Sequence, residues 1–541
     1  MDCELRKILF STLILTLPGL ALAGAFEDAL EQAKQQNYTA AAALLLPLAE
    51  QGDPRAENML GNFYRLGRGV PADQRAAASW YQKAADQDFA LAENSLANLY
   101  WRGEGVAKDE AKAVQLFRHA ADQGLAVAQT ALGNLALSGA GMAQDEALAA
   151  SYYRRAADQG NAVAQNALAS LFWLGKGVDK DDAEAARYFR MAADQGMVIA
   201  QISLGNLYRV GRGVPQDFGK AREWYMKAAD QGSADAENLI GMLYWQGDGV
   251  ERDQDQAVTW FHKAADHGNA AAANSLGTLH YEGRGVAQDD ALAARWLRQA
   301  AQDGVANAEY LLGLLAQQGR AGPQDFAEAA RHYQLAANQD FPPAESALAN
   351  LYWIGKGVAA DRGQAIAWYR KAAEHGVADA QNMLGNCYFS GVGVPQDKAQ
   401  AIEWLRKSAL QGHSVAENSL GLIYWRGDGV AKDDAEAAQW FRKAAEHNMA
   451  AAQSSLSYLY ANGAGVEKDP AEAAKWLRKA AEQGFPEAET QLGDLYLKGI
   501  GVAADYDEGV KWLRKAAEQG QVHARDTLAL LHENIDEPNK N

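Results

Sequence analysis

The chain has 541 residues, 48% of them hydrophobic, 12 prolines and a formal net charge of −18. The apolar fraction and the scarcity of proline exclude disorder, and an acidic chain without a basic stripe excludes a nucleic-acid partner, which needs cations for its phosphates. At this length three or four separate domains are expected unless the chain repeats itself.

Residues 1–23 have the pattern of a secretory signal peptide. Arg6 and Lys7 precede an apolar run from Ile8 to Leu22, and Ala21-Leu22-Ala23 forms a small-x-small cleavage site before Gly24. Pro18-Gly19 breaks the run, which falls short of the roughly 20 apolar residues that span a bilayer. The expectation is a mature chain without a stable membrane span, in the periplasm or outside the cell. Cleavage would leave Cys387 as the one cysteine, so no internal disulfide can form, and its place at a core leucine slot reads as a buried thiol.

Residues 24–52 read as an N-terminal capping helix pair, with Tyr38 to Gly52 aligned on the later second helices. From 53 to 520 one motif recurs thirteen times. Its core leucine falls at Leu60, Leu96, Leu132, Leu168 and Leu204, is Ile240 once, and continues from Leu276 to Leu492, always 36 residues apart. Such a period marks a solenoid of stacked helix pairs. Around Leu96, the residues Ala92, Leu96, Leu99, Tyr100 and Gly103 share one helical face. Gly103-Glu104-Gly105 ends that helix. An aspartate then opens the second helix in every copy, from Asp73 and Asp109 to Asp505, as an N-cap. The second helix carries a bulky residue and an alanine pair, such as Trp224 with Ala228-Ala229, which lets helices approach closely.

The copy built on Leu312 departs most. Ala316 replaces the usual tyrosine, Gly319-Arg320-Ala321-Gly322 breaks the loop pattern, and Asp340 with Pro342-Pro343 alters the exit. The departures predict a softer joint or a change of curvature at 316–343. Residues 521–534 read as a C-terminal capping helix and 535–541 as a polar tail.

These residues resemble the Sel1-like repeat family, a relative of the tetratricopeptide repeat. Ala236, Ile240-Gly241, Tyr244, Gly247, Gly249-Val250, Asp253, Ala257, Trp260, Ala264-Ala265 and Gly268 carry the family pattern nearly complete. The resemblance implies an all-α fold, a right-handed α/α superhelical solenoid of helix-loop-helix repeats that scaffolds other macromolecules without catalysis or cofactor. A cysteine-rich branch of the family staples its repeats with disulfides; this chain would rely on packing alone.

Positions that the repeat does not require point to a binding face. Two residues before the core leucine stands asparagine at Asn58, Asn94, Asn166, Asn238, Asn274, Asn382 and Asn418. Two residues after it stands asparagine at Asn62, Asn98, Asn134, Asn206, Asn350 and Asn386. Five residues after it stands Trp101, Trp173, Trp245, Trp353 or Trp425, with Tyr281 and Phe389 between. The three positions share a helical face turned away from the core. By analogy with related solenoids the first helices would line a concave groove, here floored by amides and edged by rings. Amides both donate and accept, and tryptophan supplies flat apolar area at little entropic cost. This suits an extended peptide or protein segment, with an envelope polysaccharide or peptidoglycan as the alternative. The competing account is packing: a tryptophan folded over the glycine loop to seal the next repeat, and asparagine bracing neighbouring helices.

Signatures of catalysis are missing from the sequence. The glycine loops lack the lysine of a phosphate loop, and neither G-x-S-x-G nor HExxH occurs. His267, His375 and His447 hold equivalent slots, repeats apart, too far to share a metal. No cofactor or metal is expected.

Overall fold

The computed structural model describes residues 18–535, with side chains from 24 to 531; most of the signal-like segment and the end of the polar tail lie outside the described residues. Every element among them is helical. Helices α1 (Pro18–Lys34) and α2 (Tyr38–Glu50) precede thirteen helix pairs, and a single helix, Val522–Ile535, follows. None of these helices is long and apolar enough to cross a membrane.

Local chemistry sets each pair. In the copy built on Leu168, the first helix runs from Ala162 to Leu174 and stops at Gly175, which is left-handed at φ +68° and returns its N–H to the Leu171 carbonyl. Asp181 is extended, and its carboxylate accepts from the N–H groups of Ala183 and Glu184, starting the second helix at Asp182. The same aspartate cap forms in all thirteen copies.

Packing within a pair is ring against backbone. Tyr81, Tyr153 and Tyr225 are fully buried, and each ring occupies the space that a Cβ on Gly61, Gly133 or Gly205 would need. Leu168, Leu204 and Ile240 are wholly buried, worth about 1.5–3 kcal/mol each. The chain divides into two units, Met1–Asn269 and Ala270–Asn541. In the first, one continuous cluster of buried residues runs from Ala136 to Leu243. In the second, each layer is built on the same plan, as around Leu348 and Leu456.

Successive repeats lock through the loop. Gly213 sits at φ +70°, and a Cβ there would overlap the carbonyl of Asp182, the first residue of the preceding repeat's second helix. Gly105 stands likewise against Gln74, Gly177 against Glu146 and Gly465 against Asp434. Where Ala321 replaces this glycine, the loop keeps an ion pair that Arg212 and Asp182 also make beside Gly213. Arg320 Nη2 lies 2.6 Å from Asp290 Oδ1 and donates to the Tyr281 carbonyl at 3.0 Å. The departure at 316–343 therefore leaves two regular helices, Ala306–Gln318 and Phe326–Ala337, in place.

Gly213→Ala is expected to lower stability well beyond Gly232→Ala. The second glycine is also left-handed, at φ +82°, but has nothing within 4 Å of its missing Cβ, so it loses only the about 1–2 kcal/mol of backbone strain. Equal melting temperatures for the two variants would refute the loop contact.

Candidate functional site

The five first-helix tryptophans are all half-buried. Each has one side taken by its own repeat or the next. The Arg212 guanidinium lies 3.6 Å from the Trp173 ring centroid, and Arg362 lies 3.7 Å from that of Trp353, which also meets Tyr369 edge-on at 6.1 Å. Trp425 stands edge-on to Tyr458 of the next repeat at 5.6 Å. Trp101 borders Gly141 in the following loop, and Arg252 lies 5.8 Å from Trp245.

The two asparagine rows differ. In the row after the leucine, Asn62, Asn134, Asn206 and Asn350 accept from the hydroxyls of Tyr81, Tyr153, Tyr225 and Tyr369 at 2.6–2.9 Å. These tyrosines come from the second helix of the same repeat, so the amides brace the pair. Tyr333, in a copy with Leu314 in place of the asparagine, donates to Gln317 instead at 2.7 Å. Asn98 and Asn386 face Phe117 and Leu405 at that slot and have no such brace. The pairing is visible in the sequence as tyrosine 19 residues after asparagine, but a tyrosine in an apolar run reads simply as core.

In the row before the leucine, Asn274 Oδ1 accepts from Asn307 of the next repeat at 2.9 Å. Asn58, Asn166, Asn238, Asn382 and Asn418 have a buried Oδ1 with no hydrogen-bond partner. The counterpart of Asn307 is Leu91 for Asn58, Ile199 for Asn166 and Val415 for Asn382, none of which carries a donor. Asn94 Nδ2 and Oδ1 have no such link, although its carbonyl accepts from Asn98 at 2.8 Å.

A cleft opens where the rows meet in the first unit. It holds about 410 Å³ between helices Ala162–Leu174 and Val198–Val210, walled by Ser170, Trp173, Leu174, Asn206, Arg209 and Val210 over Phe189 and Leu207. Trp173 and Asn206 were expected at such a site; Leu174, Arg209 and Val210 were not. A larger hollow of about 950 Å³ lies on the loop near Arg222, but the charged Glu251, Arg252, Asp253 and Asp255 line it and no aromatic anchor does beyond Tyr244.

A second feature escaped the sequence reading entirely. Three residues before the core leucine, a glutamate or glutamine is buried in every repeat except the one with Ala273. Each is met by a side chain from the second half of its own repeat. Gln159 donates to Gln129 at 2.8 Å, while Gln129 Nε2 donates to the Ala121 carbonyl at 3.1 Å. Where the buried residue is glutamate, histidine often answers. His267, His375 and His447 place Nδ1 2.8 Å from Glu237, Glu345 and Glu417. These histidines thus have structural partners.

One group among the described residues, Asp88, Glu93 and His119, offers three ligand atoms within 4.8 Å of one another. Its arrangement is charge pairing. His119 bridges Glu93 and Asp88, and the hydrogen bond to Glu93 holds the imidazole above its ordinary range. In the corresponding slots Lys371 pairs with Asp340 at 2.6 Å and with Glu345 at 3.5 Å. Cys387 is buried, and burial pushes its thiol up, away from reactivity.

Stacked helix pairs with one outward row of unshared side chains define a helical repeat scaffold, an architecture that suggests protein–protein interaction. A family model described as Sel1 repeat matches thirteen consecutive stretches, from 54–89 to 486–521. The chain is 34% identical to a protective antigen present in uropathogenic Escherichia coli strains that displays an SLR fold; the match covers 86% of this chain and 98% of that one, with a TM-score of 0.65. It is 32% identical to a Sel1 repeat protein from Oxalobacter formigenes over 58% of this chain and 91% of that one, with a TM-score of 0.47. Among curated proteins there is no match. The chain belongs to the Sel1 repeat family.

Burial raises Glu57 above the ordinary carboxylate value of 4.5, against the opposing pull of Lys83 and of the hydrogen bond from Gln87. The folded state therefore holds the proton more tightly than the unfolded one, and stability falls as pH rises through the carboxylate range. Glu57→Gln, which installs the residue found at Gln129, is expected to raise the melting temperature at pH 7 by the equivalent of about 1 kcal/mol. The advantage should shrink as the pH drops below 4.5. A destabilised variant, or a gap that widens in acid, would contradict the assignment.

Proposed function

We propose that this protein is an exported scaffold that binds extended segments of protein partners along the outward face of its first helices. One observation carries the reading. Leu91, Val127, Val163 and Ile199, five residues before the core leucine in four consecutive repeats, are 47%, 47%, 52% and 62% exposed. Solvent-facing aliphatics at one fixed position contribute little to the fold, and a contiguous row of them is the signature of a contact surface. The row shares a helix face with the asparagines and leads to the cleft at Trp173. Side-chain amides suit a backbone that has left its own hydrogen bonds unmade, which an extended segment does. Arg6, Lys7 and the apolar run that ends at Ala21-Leu22-Ala23 support export, and the scaffold would then work in the periplasm or outside the cell.

Changing Leu91, Val127, Val163 and Ile199 together to serine should leave the melting temperature within about 2 °C, since each is solvent-facing. In an envelope extract, cross-linking followed by mass spectrometry should show the wild-type chain joined to defined proteins through these first helices, and the variant should lose those links. Unchanged links in the variant, or displacement of the bound material by soluble envelope polysaccharide, would overturn the proposal.

A further inference from the structure

The charge of the chain is distributed against its net value. The sequence holds 69 acidic residues. Yet in the first five repeats none falls at the outward positions of the first helix (five, two and one residues before the core leucine; two, five and six after it). From the sixth repeat onward, Asp235, Glu282, Asp379, Glu487 and Asp494 do stand at such positions. The cations on the first unit's face are not neutralised alike. Arg55 is 2.7 Å from Asp53, and Arg102 is 3.8 Å from Glu104. Arg65 and Arg209 form no ion pair among the described residues, and both replace the tryptophan five residues after the leucine.

Arg209 is the better placed. It walls the cleft that also contains Trp173, Leu174 and Val210. The Tyr225 hydroxyl, which donates to Asn206 at 2.8 Å, stands against its guanidinium and fixes it. Its Nε is buried with no hydrogen-bond partner. An unpaired guanidinium held beside apolar walls, on a face cleared of carboxylates, is prepared for an anion that arrives with apolar neighbours.

On the reading that this face binds extended protein segments, we infer that the segment is acidic, with an aspartate or glutamate next to a large apolar side chain. The apolar side chain fills the cleft against Trp173 and Val210, and the carboxylate pairs with Arg209. Neighbouring acidic residues meet no like charge along the outward positions of the first five repeats, so affinity falls as salt rises.

A phage-displayed library of random 12-residue peptides, panned on the full-length chain, tests this directly. Enriched peptides are expected to carry Asp or Glu beside Leu, Ile, Phe or Trp. A synthetic copy of one should lose at least tenfold in affinity, about 1.4 kcal/mol, with Arg209→Gln. Because Arg209 touches Tyr225, the solvent-facing change Val210→Asp serves as the second variant; it should leave melting unchanged and weaken the same peptide by repulsion. Enriched peptides that are basic or uncharged but lose affinity with Val210→Asp or Arg209→Gln would overturn the acidic preference while leaving peptide binding at the face intact. Equal affinity for both variants and the wild type would put the peptide elsewhere and overturn the inference. No enrichment over several rounds would sink both.

Discussion

A single crowded contact recurs through the repeats: at Gly69, Gly105, Gly177, Gly213, Gly357, Gly465 and Gly501 the loop backbone lies on the first turn of the preceding repeat's second helix. Gly213 leaves room there for a hydrogen and nothing larger, because the Asp182 carbonyl occupies the place of a side chain. Within a pair the same closeness recurs, with the Tyr225 ring filling the space above Gly205. A packed interior has no slack to absorb a displaced loop, so adding or removing a residue between the core leucine and the loop would move a side chain into a carbonyl. The 36-residue step runs without interruption from Leu60 to Leu492 for that reason. The one loop that gives up the glycine, at Ala321, still ties Arg320 to Asp290, as the Gly213 loop ties Arg212 to Asp182.

That rigidity explains which parts of the chain are free to vary. Inward positions are held by leucine, ring, alanine or glycine, with one buried glutamate or glutamine in nearly every repeat. The outward positions of the first helices accept asparagine, valine, arginine or tryptophan with no change in helix length. Several of them serve twice. Asn206 braces Tyr225 through its oxygen and borders the cleft, and Trp173 is held under Arg212, whose charge is answered by Asp182 at 2.8 Å. Anchors fixed in this way lose little freedom when a partner arrives, which favours binding by an otherwise ordinary surface.

Local chemistry made the fold legible in the sequence. Asp181 and its counterparts announce a helix start because a carboxylate before an alanine run has one obvious use, and Gly175 announces an end because of its left-handed backbone. The face that carries the asparagines and tryptophans was also visible from spacing. Its chemistry was harder to read, since an amide that meets a partner and an amide that braces Tyr153 are the same letter. The row from Leu91 to Ile199 was missed because branched aliphatics at a helix start look like core, and only the fold shows them in solvent. The column from Glu57 to Glu489 was missed for the opposite reason. A charged or amide residue beside alanine reads as surface, and its partner, such as Gln87 for Glu57, lies 30 residues away.

The period itself can be put to the most direct test by deleting one repeat, residues 162–197, from the full chain and comparing it with the same deletion shortened by two residues. Loss of all 36 residues restores every loop to its helix, so helical circular dichroism and a single cooperative melt should survive, with a melting temperature within a few degrees of the parent. The shortened deletion leaves two residues too many for the contact and should melt early or without cooperativity. If both variants melt alike, the spacing is an accident of descent and the loop contact does not hold the repeats in register.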